Sequence, residues 1–281
     1  MSTSTPAINP AQPVRLPRAQ AGGRVTQARV ALSEWTKLRS LRSTLYTLGA
    51  TAVLTIGIGI VASAINASRW STMSAADKAS FNPLGTSLGG VTLGLLAIGV
   101  LGVLLITGEY STGMIRSTFA AVPKRLPVLW AKAGVYAVVA LALATVSTVV
   151  AFFVSQGILS SHHIQISFSH NGVPGAVLGS ALYLTLAGLL GLGLGGIMRN
   201  TAAAISAFTG TMFVLPALVM ILPASTANAI NPYLPSKAGG AIMQIGHHAH
   251  TLSPWAGLGL FAGYTVTAIG AAAVLLVRRD V

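Results

Sequence analysis

Six stretches of this chain are apolar, close to the length needed to cross a bilayer, and free of Asp, Glu, Lys, Arg and His: about 45–65, 86–107, 133–155, 176–197, 201–222 and 255–277. A bilayer core takes roughly 20 helical residues to cross, and only helices or closed barrels satisfy every backbone polar group inside it. Six such runs point to an all-α polytopic membrane protein with six transmembrane helices. Composition agrees where it bears on this, because 7% of the residues are charged, against roughly 25% in soluble domains.

The 17 Lys and Arg outnumber the 4 Asp and Glu, for a net charge of +13, a balance that in a soluble chain would suggest nucleic acid as partner. Their placement excludes that reading. Fourteen of them precede span 1, lie between spans 2 and 3 or 4 and 5, or follow span 6, and only Arg69, Lys78 and Lys237 fall in the alternate loops. By the positive-inside rule both termini are cytoplasmic, in a multi-pass protein of the plasma membrane surrounded by lipids. The first apolar run starts near Leu45 and is too long for a signal-peptide core, so a cleaved leader is not expected. The absence of cysteine removes disulfides and thiolate metal sites.

Residues 1–27 are rich in Ser, Pro, Ala and Gly and read as a disordered cytoplasmic tail; residues 28–281 read as one transmembrane domain. Within 28–43, Ala28, Ala31, Leu32, Trp35, Leu38 and Leu41 recur at helical spacing, while Arg29, Glu34, Lys37, Arg39 and Arg42 take the other positions. That pattern predicts a basic amphipathic helix lying in the membrane interface; a solvated positive flank of span 1 accounts for the same charges. Between spans 2 and 3, Glu109 stands at the membrane boundary and a short helix over about 109–122 would carry Met114, Ile115, Thr118, Phe119 and Val122 on one side before Pro123 stops it. A plain interfacial connector explains those residues equally well.

The outer loop from Pro223 to Pro254 holds two apolar pieces, Ala224 to Ile230 and Ala238 to Ile245, too short to span and so re-entrant or interfacial. Met198-Arg199-Asn200 is a tight turn between spans 4 and 5. The pairs Gly90 with Gly94, Gly191 with Gly195, and Gly259 with Gly263 suggest close helix crossings, and Pro216 predicts a kink in span 5.

Chemistry is sparse. The acids are Glu34, Asp77, Glu109 and Asp280, no nucleophile motif surrounds a serine, and no Gly precedes a Lys as a P-loop requires. His162, His163, His170, His247, His248 and His250 lie in outer loops; an imidazole metal site is one reading and ordinary loop histidines the simpler one. Ion-coupled carriers place ionisable residues inside their spans, and these spans have none. A driving force from outside the membrane is therefore expected, with a carrier that holds Na⁺ through backbone carbonyls alone as the alternative.

The run Glu109-Tyr110-Ser111-Thr112-Gly113-Met114-Ile115-Arg116, followed by Ala120-Ala121-Val122-Pro123-Lys124-Arg125 and Lys132, resembles the first cytoplasmic loop of ABC-2 type transporter permeases. Ser33-Glu34-Trp35-Thr36-Lys37-Leu38-Arg39-Ser40 resembles the N-terminal elbow helix of actinobacterial members. Met114 stands where that family often has Thr. The resemblance implies an elbow helix, a cytoplasmic coupling helix and an outer re-entrant segment. It also implies a permease with no enzyme activity or cofactor of its own, exporting a lipophilic or amphipathic drug, antibiotic, peptide or lipid. ATP and Mg²⁺ would be held by a separate ATP-binding subunit, and a second permease copy, identical or related, would complete the membrane part. It assigns Glu109, Tyr110, Gly113, Met114, Ile115, Arg116 and Phe119 to coupling with the ATPase, and Glu34, Trp35, Lys37 and Arg39 to the elbow. For Glu109 the partner is Lys132 or an elbow arginine, and the sequence does not choose. A membrane scaffold or sensor coupled to an ATPase is the alternative.

Overall fold

The computed structural model describes residues 26–114, 125–246 and 251–278. The described residues are helical, without strands, and six of the helices are long and apolar enough to cross a membrane. The chain is a multi-pass membrane protein. Helix α1 is Gln27–Ser40; the candidate spans are α2 (Arg42–Arg69), α3 (Val91–Ser111), α4 (Arg125–Leu159), α5 (Val173–Met198), α6 (Thr201–Val219) and α7 (Pro254–Arg278). The sequence tail expected over 1–27 falls outside the described residues up to residue 25, and α1 already includes Gln27.

Several helices run past the ends of the charge-free stretches, so ionisable groups enter them. Helix α3 continues through Glu109 and Tyr110 to Ser111, and α4 begins before Lys132. The expected separate helix over about 109–122 is corrected at its start, because Glu109 and Tyr110 belong to the last turn of span 2. Gly113 ends that helix: its φ is +69° and its N–H bonds the Tyr110 carbonyl, a left-handed glycine cap that a side chain would strain. At 35 residues, α4 is roughly 52 Å long and exceeds the bilayer core at one end or both.

Helix α5 is the hub. It is buried nearly all round, from Val173 to Gly196, and packs against α3, α4, α6 and α7. Lipid tails are as apolar as Leu, so helices in a membrane are held by close van der Waals contact rather than by exclusion of water. Glycine makes the contact possible here. A Cβ on Gly102 of α3 would strike the Gly188 carbonyl of α5, and one on Gly191 would strike the Gly99 carbonyl. Of the expected glycine pairs, Gly90 and Gly94 press against Thr55 of α2, and Gly191 and Gly195 against α3, while Gly259 and Gly263 face open space.

Helix α2 is built differently. Its buried residues are Thr44, Thr51, Thr55, Gly59, Ser63 and Ala67, roughly every fourth position, while Val53 and Val61 are exposed. The small and hydroxyl face turns inward and the aliphatic face outward, which suits a lipid surround. Helix α6 contains a π-helical segment, Gly210–Val214, directly before Pro216. Proline lacks an N–H and crowds the carbonyl four residues back, here Met212; the wider turn relieves both. The distortion that Pro216 predicts is therefore present and begins six residues earlier.

The two apolar pieces between α6 and α7 form short helices, Ala224–Ile230 and Pro235–Gly240, the second continued by a tight turn through Met243. Ala238, Ala241 and Ile242 are buried between α5 and α7: Ile242 sits over Gly179, and Tyr183 donates to the Ser236 carbonyl at 3.1 Å.

Candidate functional site

Where α1, the end of α3 and the start of α4 meet, four ionisable side chains close into a ring. Lys37 Nζ lies 2.7 Å from Glu34 Oε1 and 2.8 Å from Glu109 Oε1; Lys132 Nζ lies 2.5 Å from Glu34 Oε2 and 2.9 Å from Glu109 Oε1. Glu34, Glu109 and Lys132 are buried, at 3%, 7% and 6% exposure, and Lys37 closes the rim. Two carboxylates and two ammonium groups balance, which is the condition for burying charge without an uncompensated ion. Burial works against the Lys37 ammonium, but its hydrogen bonds to Glu109 and Glu34 outweigh this and hold its pKa above the ordinary lysine value.

Helical spacing positions the ring. Glu34 and Lys37 are three residues apart on α1, so they share a face, and Val30, Glu34 and Leu38 are the residues that α1 buries. Val30 packs with Val128 and Ala131 of α4, which brings Lys132 under Glu34. Leu32 and Trp35 are exposed, while Leu38 is buried beside Val30 and Glu34, so the side that α1 turns to the protein carries apolar and charged residues together.

Glu109 thus has Lys132 as one partner, one of the two expected; its α1 partner is Lys37, and no elbow arginine takes part. Glu109 Oε1 receives both lysines, whereas Oε2 is buried and has no hydrogen-bond partner among the described residues. Beside the ring lies a cavity of about 360 Å³ bounded by Leu38, Leu41, Leu101, Leu104, Leu105 and Gly108, among others.

A second set of contacts flanks the ring. Arg199 caps α5 in a left-handed conformation, donates to the Leu275 carbonyl of α7 at 3.0 Å and stacks 5.3 Å over the Tyr110 ring, while Thr201 donates to Thr107 at 3.0 Å. The spans thereby meet at one end of the bundle. At the other end Gln156 of α4 donates to Ser87 at 2.8 Å and accepts from the Ile166 N–H at 2.8 Å. Neither Gln156 nor the Arg199 contact with Tyr110 was legible in the sequence. A lone polar residue at the edge of a span, and a charged residue in a tight turn, were the available signals.

Other expected site residues disperse. Gly113 and Met114 follow α3, Met114 exposed, and Arg39 lies on the exposed side of α1. Ile115, Arg116 and Phe119 lie outside the described residues, as do His247, His248 and His250. His162, His163 and His170 are exposed, and among the described residues no three His, Asp or Glu side chains come together as metal ligands. Asp77 accepts from the Ser74 hydroxyl at 2.7 Å within its own short helix. Among the described residues, the buried hydroxyls of Thr55 and Ser63 on α2 and of Ser147 and Ser155 on α4 have no hydrogen-bond partner. Compared with known proteins, the chain matches no family model and no curated sequence.

Proposed function

We propose that the chain is the membrane permease subunit of an ATP-driven exporter of the ABC-2 type, moving a lipophilic or amphipathic substrate out of the cell. A separate ATP-binding subunit, with its own ATP and Mg²⁺, supplies the work, and a second permease copy completes the translocating unit. In this reading the basic end of the bundle faces the cytoplasm of the cell, α1 is the elbow, and the coupling element covers about 109–122, from the last turn of α3 onward.

The observation that carries the reading is the ring of Glu34, Lys37, Glu109 and Lys132. It fastens α1, α3 and α4 to one another immediately beside the segment on which a cytoplasmic motor would push. A displacement delivered there reaches three helices together, because breaking any one tie strands a buried charge. Glu109→Gln, assayed with the ATP-binding subunit, is expected to reduce both permease-stimulated ATP hydrolysis and transport. Unchanged hydrolysis and transport would remove Glu109 from coupling, and association with an ATPase without movement of cargo would mark a scaffold instead.

A further inference from the structure

Charge and apolar surface are sorted at the end of the bundle that holds the ring. Glu34 and Glu109 are both consumed by it, and among the described residues no other carboxylate lies at that end. The exposed ionisable residues there are all cations: Arg29 and Arg39 of α1, Arg42 at the start of α2 and Arg278 at the end of α7. Beside them α1 and α4 enclose an open apolar groove of about 640 Å³, within the ordinary range for a ligand site. Val30 packs against Val128 and Ala131 and joins the two helices; Ala31, Leu32 and Trp35 line the groove from α1, and Trp130, Gly134 and Val138 from α4. The three α4 residues stand four apart and are all exposed, so they form one stripe on the side of α4 that faces lipid. Arg39 follows Trp35 by four residues and Arg29 precedes Leu32 by three, so each cation shares a helix face with a residue of the groove. Trp35 and Trp130 are exposed as well, and tryptophan favours the level where acyl chains give way to headgroups.

We propose that this groove holds an anionic phospholipid of the adjoining leaflet, an acyl chain lying between α1 and α4 and the phosphate-bearing head met by Arg29 and Arg39. The planar guanidinium donates two parallel hydrogen bonds to a phosphate, and it does so from a surface on which no exposed carboxylate competes. A zwitterionic lipid offers the same chain and the same phosphate, but its own ammonium cancels the attraction, so the choice between lipids is made by net charge. The inference concerns lipid held by the chain itself and does not rest on the permease reading.

The full chain would be placed in nanodiscs of phosphatidylcholine and phosphatidylglycerol mixed equally and carrying identical acyl chains, and the lipid that stays bound on release would be read by native mass spectrometry. The wild-type chain is expected to retain phosphatidylglycerol over phosphatidylcholine by about 25-fold, or about fivefold for each arginine at the surface, and by less at high salt. Arg29→Gln combined with Arg39→Gln is expected to remove most of that preference, whereas Arg278→Gln, on a helix that does not line the groove, is expected to keep most of it. Gly134→Leu fills the groove, since a Cβ there meets nothing within 4 Å, and is expected to lose the retained phosphatidylglycerol. With bromine on the acyl chains, phosphatidylglycerol is expected to quench tryptophan fluorescence more than phosphatidylcholine does, and the excess to vanish when Trp35→Phe and Trp130→Phe are combined. Equal retention of the two lipids by the wild-type chain overturns the proposal. So does a loss as large in Arg278→Gln as in the α1 double variant, which would make the preference a property of the whole basic end. A preference that survives in a folded Gly134→Leu puts the lipid elsewhere, and a fall in the light-scattering mass of that variant with lipid retention unchanged gives the groove to a second copy; either result overturns the proposal. The substitutions at exposed arginines and tryptophans decide the matter even if Gly134→Leu fails to fold.

Discussion

Helix α3 is held at two places by opposite means. Along its middle, Gly99 and Gly102 bring its backbone against that of α5 at Gly188 and Gly191. At its end, Glu109 is gripped by Lys37 of α1 and Lys132 of α4. The glycine crossing is neutral and depends on shape: it binds one helix to the hub and has no charge to lose. The ion ring depends on balance: it ties α3 to α1 and α4, and it fails in a specific way when a single charge is removed. A bundle built so has a firm centre and an edge whose attachment is conditional, which is where a lever would be useful.

The largest effect is expected from breaking the crossing. In Gly102→Leu the new side chain meets the Gly188 carbonyl rather than a flexible side-chain end, so α3 and α5 must separate. Overpacking costs about 1–3 kcal/mol where side chains can give way; a backbone carbonyl cannot, so the cost lies above that range and is enough to prevent folding. Loss of a monodisperse folded species in size-exclusion chromatography is expected; a folded Gly102→Leu with unchanged thermal unfolding would show that the crossing is not the hub.

The ring is expected to respond next, and to be rescuable where the crossing is not. Lys132→Met leaves Glu34 and Glu109 sharing Lys37, with an uncompensated negative charge in a buried site. Removing one partner of a buried pair costs about 3–5 kcal/mol. Adding Glu34→Gln restores balance, with Lys37 facing Glu109 alone, and should recover most of the lost thermal stability. If the double variant is as unstable as the single one, packing rather than charge holds this end.

The difference between the two regions also explains what the sequence disclosed. Spans are legible because crossing a bilayer requires about 20 apolar residues whatever the fold, and the glycine spacing at Gly191 and Gly195 is a local pattern. Their ends are less legible: Glu109 and Lys132 look like flanking charges until a third helix is seen to bury them. On α1, periodicity identifies an apolar side but not what covers each residue: Leu32 and Trp35 are exposed, whereas Leu38 is buried with Val30 and Glu34. The ring is made of contacts up to 98 positions apart in sequence, beyond what spacing on one helix can reveal. Pro216 marked a distortion, yet the π-helical form that it takes depends on the backbone upstream.

The smallest effect separates glycine that packs from glycine that merely occurs. Gly259 and Gly263 have the same four-residue spacing as Gly191 and Gly195, but a Cβ at either would meet nothing within 4 Å. Within a single chain, Gly259→Ala and Gly263→Ala should therefore be neutral or stabilising by about 0.5–1 kcal/mol each, because alanine removes the entropic weakness of glycine in a helix. Thermal unfolding and light-scattering mass of each variant read the two possible outcomes. A modest gain with unchanged mass leaves the spacing without a packing role. A loss of stability together with a fall in mass would mean that a second copy lies against α7, so that the crossing made inside the chain by α3 and α5 would be repeated between chains.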